Sequence, residues 1–385
     1  MAAAGLSRAE VRALRRALGR THFVDYRVEI LDMRHQVINT IGDRVLSGSL
    51  SVDLRRDVPQ TLRLTIDERV GGRLDGQTAS DAPVTVDRLI RVWEIISGGG
   101  LDEPIEVPLF TGPLVQPVSD EGSSLVIEAQ SKEALGMEEA WIPRTYSKGT
   151  RKTDVIKDLL SEAIGETPRY IDVPDRKCAR LADDLTVNRR AQVWSTIKRL
   201  AKSMGYVTWH DGFGVVHVQP RPQRVTAIDS TGDGGTILEP IRRRTDTTEL
   251  VNAVRVIGRE PRGNQKRIEA KAVAPKRHPL SPQRLGLNGA ERYLTRTIED
   301  DSIRSEAEAQ ERADQALKEG LRLAYDVEYA ASPDPLIHPY QLRYVADGAG
   351  VEQKRVTRYE YPIGPGRMTV GYRDARAGHK IQRSK

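Results

Sequence analysis

Between Leu50 and Ile66 the chain alternates apolar and polar residues with a period of two, a pattern that few folds accept. Leu50, Val52 and Leu54 alternate with Ser51 and Asp53, then Leu62, Leu64 and Ile66 alternate with Arg63 and Thr65. A period of two places each set of side chains on its own face of a strand. The intervening RRDVPQ carries Pro59, so the two runs read as antiparallel neighbours with one buried and one wet face. LIRVWEII, IEVPLFTGPLV and SSLVIEA continue the pattern, and residues 21–140 are expected to form one β-rich domain, a barrel or sandwich. SGGG at 97–100 reads as a hairpin tip; no helix follows it to hold a phosphate, which argues against a nucleotide loop.

The period then changes. In TDVIKDLLSEAIG, Val155, Ile156, Leu159, Leu160 and Ala163 fall on one helical stripe, with Thr153 as N-cap and Gly165 as stop. NRRAQVWSTIKRLAKSMG repeats the design through Val193, Trp194, Ile197, Leu200, Ala201 and Met204, ending at Gly205. YVTWHDGFGVVHVQ reads as a hairpin turning at HDGFG. Residues 145–235 therefore read as a small α/β insert, with DSTGDGGT at 229–236 as its exit linker. Strands resume in NAVRVIG and RIEAKAVA. A helix is expected over 302–324, with Ser305 and Glu308 at capping-box spacing and Ile303, Ala307, Ala313, Leu317, Leu321 and Ala324 on one side. KRVTRYEYPIGPGRMTVGYRD supplies two more strands around a Pro/Gly turn.

The expected fold class is α+β, β-dominated: two antiparallel β-barrel or sandwich domains with a small α/β insertion. The domains run as an N-terminal helix (1–20), a first β domain (21–140), the insert (145–235), a second β domain (238–375) with the 302–324 helix, and a basic tail (376–385). Strands from 241–274 could belong to either β domain.

At 385 residues the chain can bury two or three cores. No apolar run approaches the roughly 20 residues of a bilayer span. Leu6, Val11, Leu14 and Leu18 fall at helical spacing with basic residues between them, which reads as a docking helix rather than a signal peptide or membrane-surface helix. A net charge of +6 spread over this length is a weak field. Arg242–Arg243–Arg244, followed by Asp246 and Glu249, and the basic run at 260–278 lack the aromatics that base stacking needs. Both read as solvated loops or protein contacts.

Candidate chemistry is sparse. Cys178 is the single cysteine; it cannot form an internal disulfide, no histidine is near it in sequence, and no catalytic role is expected of it. The seven histidines form no HExxH or HxH pair. His210 and His217 could face each other across the hairpin near Asp211, but two histidines and a turn aspartate make a poor zinc site, and both read as ordinary strand residues. Glu299–Asp300–Asp301 reads as acidic charge at a helix N-terminus. No GxSxG elbow occurs. The expectation is no catalytic residue, no metal site and no cofactor.

One stretch remains, YAASPDPLIHPYQLRYVADGAG at 329–350, where Pro333, Pro335 and Pro339 read as a rigid, extended elbow. Together with GSLSVDLRRDVPQTLRLTID, NRRAQVWSTIKRLAKSMGYVTWHDGFGVVHVQP and the run from NAVRVIG to GRMTVGYRD, it gives an order of elements that resembles the bacteriophage tail hub family, the baseplate-hub or minor tail proteins of long-tailed phages. The resemblance spans about residues 21–375. Family members commonly read Asn-Pro and then Pro-Gly-Asp-Val at the elbow; Tyr340 and Gln341 stand here in place of Gly-Asp, which leaves the turn type open.

The resemblance implies a structural virion protein and no enzyme. Such hubs are homotrimers whose chains each contribute two tail-tube-like β domains, so that a pseudo-six-fold ring joins a six-fold tube to a three-fold tip. It implies partners among tail tube, distal tail, tape-measure and other tip proteins, passage of DNA without sequence-specific binding, and no membrane insertion. The implied location is the distal end of the tail, after assembly in the host cytoplasm. The alternatives are a tail-tip cell-wall hydrolase and a receptor- or carbohydrate-binding tail protein. Four Trp and three Phe are few for sugar platforms, and Trp141, Trp194 and Trp209 look core-like, with Trp93 in an apolar strand.

Overall fold

In the computed structural model the two alternating runs become neighbouring strands, with Leu50 opposite Leu62 and Ser51 opposite Thr61. The structure describes residues 6–41, 45–67, 87–120, 124–137, 142–174, 179–188, 192–232, 235–246, 250–258, 268–300, 303, 305–321, 324–348 and 350–374. Cys178, Trp141, Asp301 and the tail from 375 onward lie outside the described residues.

Along the chain the elements are α1 (Arg8–Leu18), β1 (His22–Leu31), β2 (Val37–Ile41), β3 (Val45–Asp53), β4 (Gln60–Asp67), β5 (Leu89–Gly98), β6 (Ile105–Asp120) and β7 (Ser124–Gln130). Then follow β8 (Arg144–Tyr146), α2 (Lys152–Asp158), β9 (Ile171–Asp172), β10 (Leu185–Val187), α3 (Val193–Ser203), β11 (Tyr206–His210), β12 (Val216–Pro220) and β13 (Val225–Ser230). The remainder holds β14 (Arg242–Asp246), β15 (Ala253–Ile257), β16 (Glu269–Val273), α4 (Pro282–Leu285), β17 (Thr295–Glu299), α5 (Glu306–Gly320), β18 (Ala324–Ala331), β19 (Leu342–Asp347), β20 (Gly350–Ile363) and β21 (Met368–Asp374). The fold is α+β and dominated by antiparallel strands, as the alternation demands. Two compact units result, one of residues 1–240, 329–348 and 355–371, the other of 241–328, 349–354 and 372–385.

In the first unit, strands pair antiparallel in the order β2-β1-β5-β6-β7-β4-β3-β20. β6 serves two neighbours: Ile105–Pro113 pairs with β5, and Leu114–Asp120 pairs with β7. β7 keeps a strict in-out burial alternation, which places Leu125, Ile127 and Ala129 in the core beside Leu62, Leu64 and Ile66. Each leucine and isoleucine among them contributes about 1.5–3 kcal/mol through burial. At the β5–β6 tip, Gly99 has φ +60, and a Cβ there would lie 2.8 Å from Ala17. Only glycine lets the tip press against α1, whose Leu14 and Ala17 are buried with Ile96, Ile105 and Val107. A Ser7–Glu10 capping box starts α1.

The α/β portion packs α2 and α3 over the β11–β12 hairpin around Val155, Ile156, Leu159, Trp194 and Ile197. Thr153 is a buried residue inside α2, and Arg151 holds the N-cap position expected for it. Residues Leu159–Ile164 continue as a π-helix, and Gly165 stops it at φ 85. The wider turn shifts the helical phase, so Ile164 packs on the core and Ala163 is left exposed, against the expected stripe.

In the second unit, β15 pairs antiparallel with β16 and parallel with β17, and α5 covers this sheet. Ala309, Ala313 and Ala316 supply the buried face of α5, and their small size lets helix and sheet approach closely. The helix begins at Glu306 rather than 302, so Ile303 packs on the same core from before the first turn, and Ala307 is exposed. Glu308 N donates to Ser305 Oγ at 3.2 Å, half of the expected capping box. Glu299 ends strand β17 and Asp300 N bonds Ile257 O, so this acidic pair closes a sheet instead of opening a helix. Arg242–Arg244 is likewise not a loop: β14 pairs with β18.

Candidate functional site

The 329–350 stretch is two tight turns rather than an extended elbow. Ile337 N bonds Asp334 O at 3.0 Å, and Gln341 N bonds His338 O at 3.2 Å. Pro335 and Pro339 each fill the second position of a turn, where a fixed φ is an advantage. Tyr340 follows Pro339 at φ 63, so the second turn has the type II pattern, with tyrosine in the place that glycine usually takes.

Beneath these turns lies a buried ionic network. β13 and β19 run parallel with Ala227 opposite Arg343 and Asp229 opposite Val345, which makes Asp229 and Arg343 diagonal neighbours on one face. Arg343 Nε is 2.8 Å from Asp229 Oδ2, its Nη2 is 2.8 Å from Asp334 Oδ2, and its Nη1 donates to Gln341 Oε1 at 3.0 Å. Asp229 also accepts two hydrogen bonds, from Tyr329 OH at 2.5 Å and from Thr236 Oγ1 at 3.1 Å. The side chains of Arg343 and Asp229 are 3 % and 1 % exposed. Asp229, read from sequence as part of a linker, is therefore a buried anchor; its one legible sign was its place at the end of Val225–Ile228, a short run fit for a strand.

A second polar cluster fixes the hairpin of the α/β portion to the β-sheets of the same unit. Lys132 and Glu133, adjacent in a 3-10 turn after β7, are both fully buried. Lys132 Nζ pairs with Glu166, donates to Gly214 O at 2.8 Å and lies 3.3 Å from His35 Nε2. Burial holds the Lys132 ammonium below its ordinary pKa in spite of Glu166. Burial, and then the Lys132 charge, push His35 down to about 3, so this imidazole is neutral. Glu133 lies 2.9 Å from His210 Nδ1. Gln60 Nε2 donates to His210 O at 2.7 Å, and Thr111 Oγ1 to Gly212 O at 2.7 Å.

His210 and His217 do not face each other. His210 opposes Val216 and His217 opposes Trp209. His217 is instead held between carboxylates, Nδ1 at 2.8 Å from Asp172 and Nε2 at 3.0 Å from Asp211, with the Trp209 ring stacked on it. Burial disfavours its charge, but the hydrogen bonds and charges of Asp211 and Asp172 outweigh that and raise its pKa. Both histidines thus do more than fill strand positions: they tie elements together. In the sheet core, Glu94 accepts from Tyr361 OH at 2.5 Å, and burial raises its pKa to about 7.

In chemical terms most of these groups pair with or hydrogen-bond one another, which suits them to fixing elements in place. Among the described residues no group of three or more His, Cys, Asp or Glu is arranged to hold a metal ion. No described helix is long and apolar enough to cross a membrane.

This arrangement of strands, hairpin-bearing α/β portion and covering helix defines a known class: the chain has the fold of phage tail proteins. In particular, it superimposes on the 43 kDa tail protein of prophage MuSo2 from Shewanella oneidensis with a TM-score of 0.62 and 14% identity, covering 91% of this chain and 98% of that one. The tail protein from Neisseria meningitidis MC58 matches with a TM-score of 0.59 and 13% identity, over 91% and 97% of the two chains. At such identities the likeness is one of fold. No protein-family model matches the sequence, and no curated protein does.

Proposed function

We propose that this chain is a structural component of a phage-type tail, and specifically a homotrimeric hub at the distal tail end. In this reading 21–140 and 238–375 act as tube-like β domains and 145–235 as an insert, so three chains present six similar lobes to the tube and three-fold symmetry to the tip. The ring forms part of the DNA passage and contacts tail tube, distal tail, tape-measure and tip proteins. It sits in the virion after assembly in the host cytoplasm and catalyses no reaction. The observation that carries the proposal is the likeness to two named tail proteins over nearly the whole length of each partner.

A local feature supports oligomerisation. Strand β2 reads Val37-Ile-Asn-Thr-Ile41, without charge or proline, and among the described residues it pairs on one side only, with β1. Val37 and Ile38 are exposed, with Met33 and Phe23 exposed on the same hairpin and strand. Edge strands that stay free in solution are normally guarded by charge or proline. Light scattering on the purified chain is expected to give three times the chain mass, and electron images a three-fold annulus with six lobes. A monomer at high concentration would overturn the hub reading.

A further inference from the structure

The net charge of +6 is thinly spread along the sequence, but the structure concentrates part of it. Arg8, Arg12, Arg15, Arg16 and Arg20 are all exposed on α1 and the residues just after it. The opposite face of the helix is already used, since Leu6, Leu14 and Ala17 are buried against the β5–β6 hairpin. Among the described residues none of the five guanidinium groups has an ion-pair partner, although exposed arginines elsewhere do: Arg55 with Asp53, Arg63 with Glu128, Arg367 with Glu239. Of the acids near in the fold, Glu10 is engaged in the capping box, and Asp102 and Glu103 sit in the hairpin loop, too few to cancel five cations.

We infer that this face of α1 binds the phosphate backbone of duplex DNA, without reading its sequence. Arg8, Arg12 and Arg16 recur every four residues, about 6 Å apart along one side of the helix, with Arg15 beside them and Arg20 just past its end, a spacing that lets each address a separate phosphate of a strand whose charges repeat every ~3.4 Å. Guanidinium forks match phosphate oxygens two bonds at a time. A lipid surface fits less well, because membrane-lying helices need a free apolar face and this one is buried. An acidic protein fits less well too, since from Ser7 to Arg20 no large apolar or aromatic side chain is exposed to serve as an anchor. Phe23, exposed on β1 just past Arg20, is a single ring and too small a platform for stacked single strands. The inference stands on this helix alone, so it and the hub reading can fail separately.

The test is fluorescence anisotropy of the full chain with a labelled 30-base-pair duplex of arbitrary sequence. Four neutralised phosphates predict a slope of log affinity against log salt of about −3.6, a loss of about 150-fold between 50 and 200 mM salt. R8Q/R12Q/R15Q/R16Q should weaken binding at least 30-fold at 50 mM salt and flatten the slope. R56Q/R63Q/R224Q/R367Q, with the same change of net charge at other exposed sites, should bind as the wild type does. Equal weakening by both variants, a wild-type slope shallower than about −2, or equal affinity for polyglutamate or phosphatidylserine vesicles would each overturn the assignment. The slope reads on the wild-type protein and needs no variant to fold.

Discussion

Asp229 and Arg343 are so completely withdrawn from water that each is tolerable only beside the other. Replacing Arg343 with Met leaves Asp229 and Asp334 facing each other without a cation, and the loss is expected to reach about 3–5 kcal/mol. D229L/R343M should recover part of it, because the buried unpaired charge is gone while Tyr329, Thr236 and Gln341 lose their partners. Urea midpoints at unchanged m-value would measure both; an R343M loss under ~1 kcal/mol would mean the network anchors nothing. Glu94 makes a pH prediction. Its folded pKa of about 7 lies above the ordinary 4.5, so between these values the native state holds more protons than the unfolded chain. Stability is then full below pH 4.5 and falls as pH rises to 7, by up to ~3 kcal/mol. E94Q should remove that slope from the pH profile of the denaturation midpoint; an unchanged slope would assign it to another group. Little of this was legible in the sequence. The spacing of His217 and Asp211 in one hairpin could be read, but Asp172 and Glu133 come from distant segments, and nothing in SKEALG distinguishes a buried Lys132–Glu133 pair from an exposed one.

Elements were more legible than their seating. The β3–β4 alternation, the hairpin at HDGFG and the α3 stripe follow from periods of 2 and 3.6, which local sequence carries in full. The π-turn at Leu159–Ile164 does not, since an extra residue per turn is imposed by packing. Nor does the role of Gly212. A Cβ there would lie 1.9 Å from Pro108 O on β6, far inside any real contact. Gly212→Ala is therefore expected to lift the turn from β6 and break the Thr111–Gly212 bond, costing about 1–3 kcal/mol as an overpacking substitution. Amide exchange at Phe213–Val215 should rise at least tenfold. Unchanged protection would mean the turn is seated elsewhere.

For the whole molecule, the order of elements announced the fold of phage tail proteins more clearly than any single residue did, because such a fold is specified by its succession of strands and turns. The assembly prediction falls at this scale. V37K/I38K puts two charges on the bare edge of β2 and should reduce a trimer to monomers while the melting temperature stays within a few degrees, measured by light scattering and calorimetry. A variant that remains trimeric would move the interface away from this edge. The pairing of β3 with β20, Arg358 opposite Asp53, has a further consequence for biosynthesis. β3 leaves the ribosome roughly 300 residues before its partner, and at ~5–20 residues per second its edge stays open for about 15–60 s. Nascent chains are therefore expected to need chaperone cover over that interval, and slow translation should lower the yield of soluble protein more than it would for a fold with local pairing.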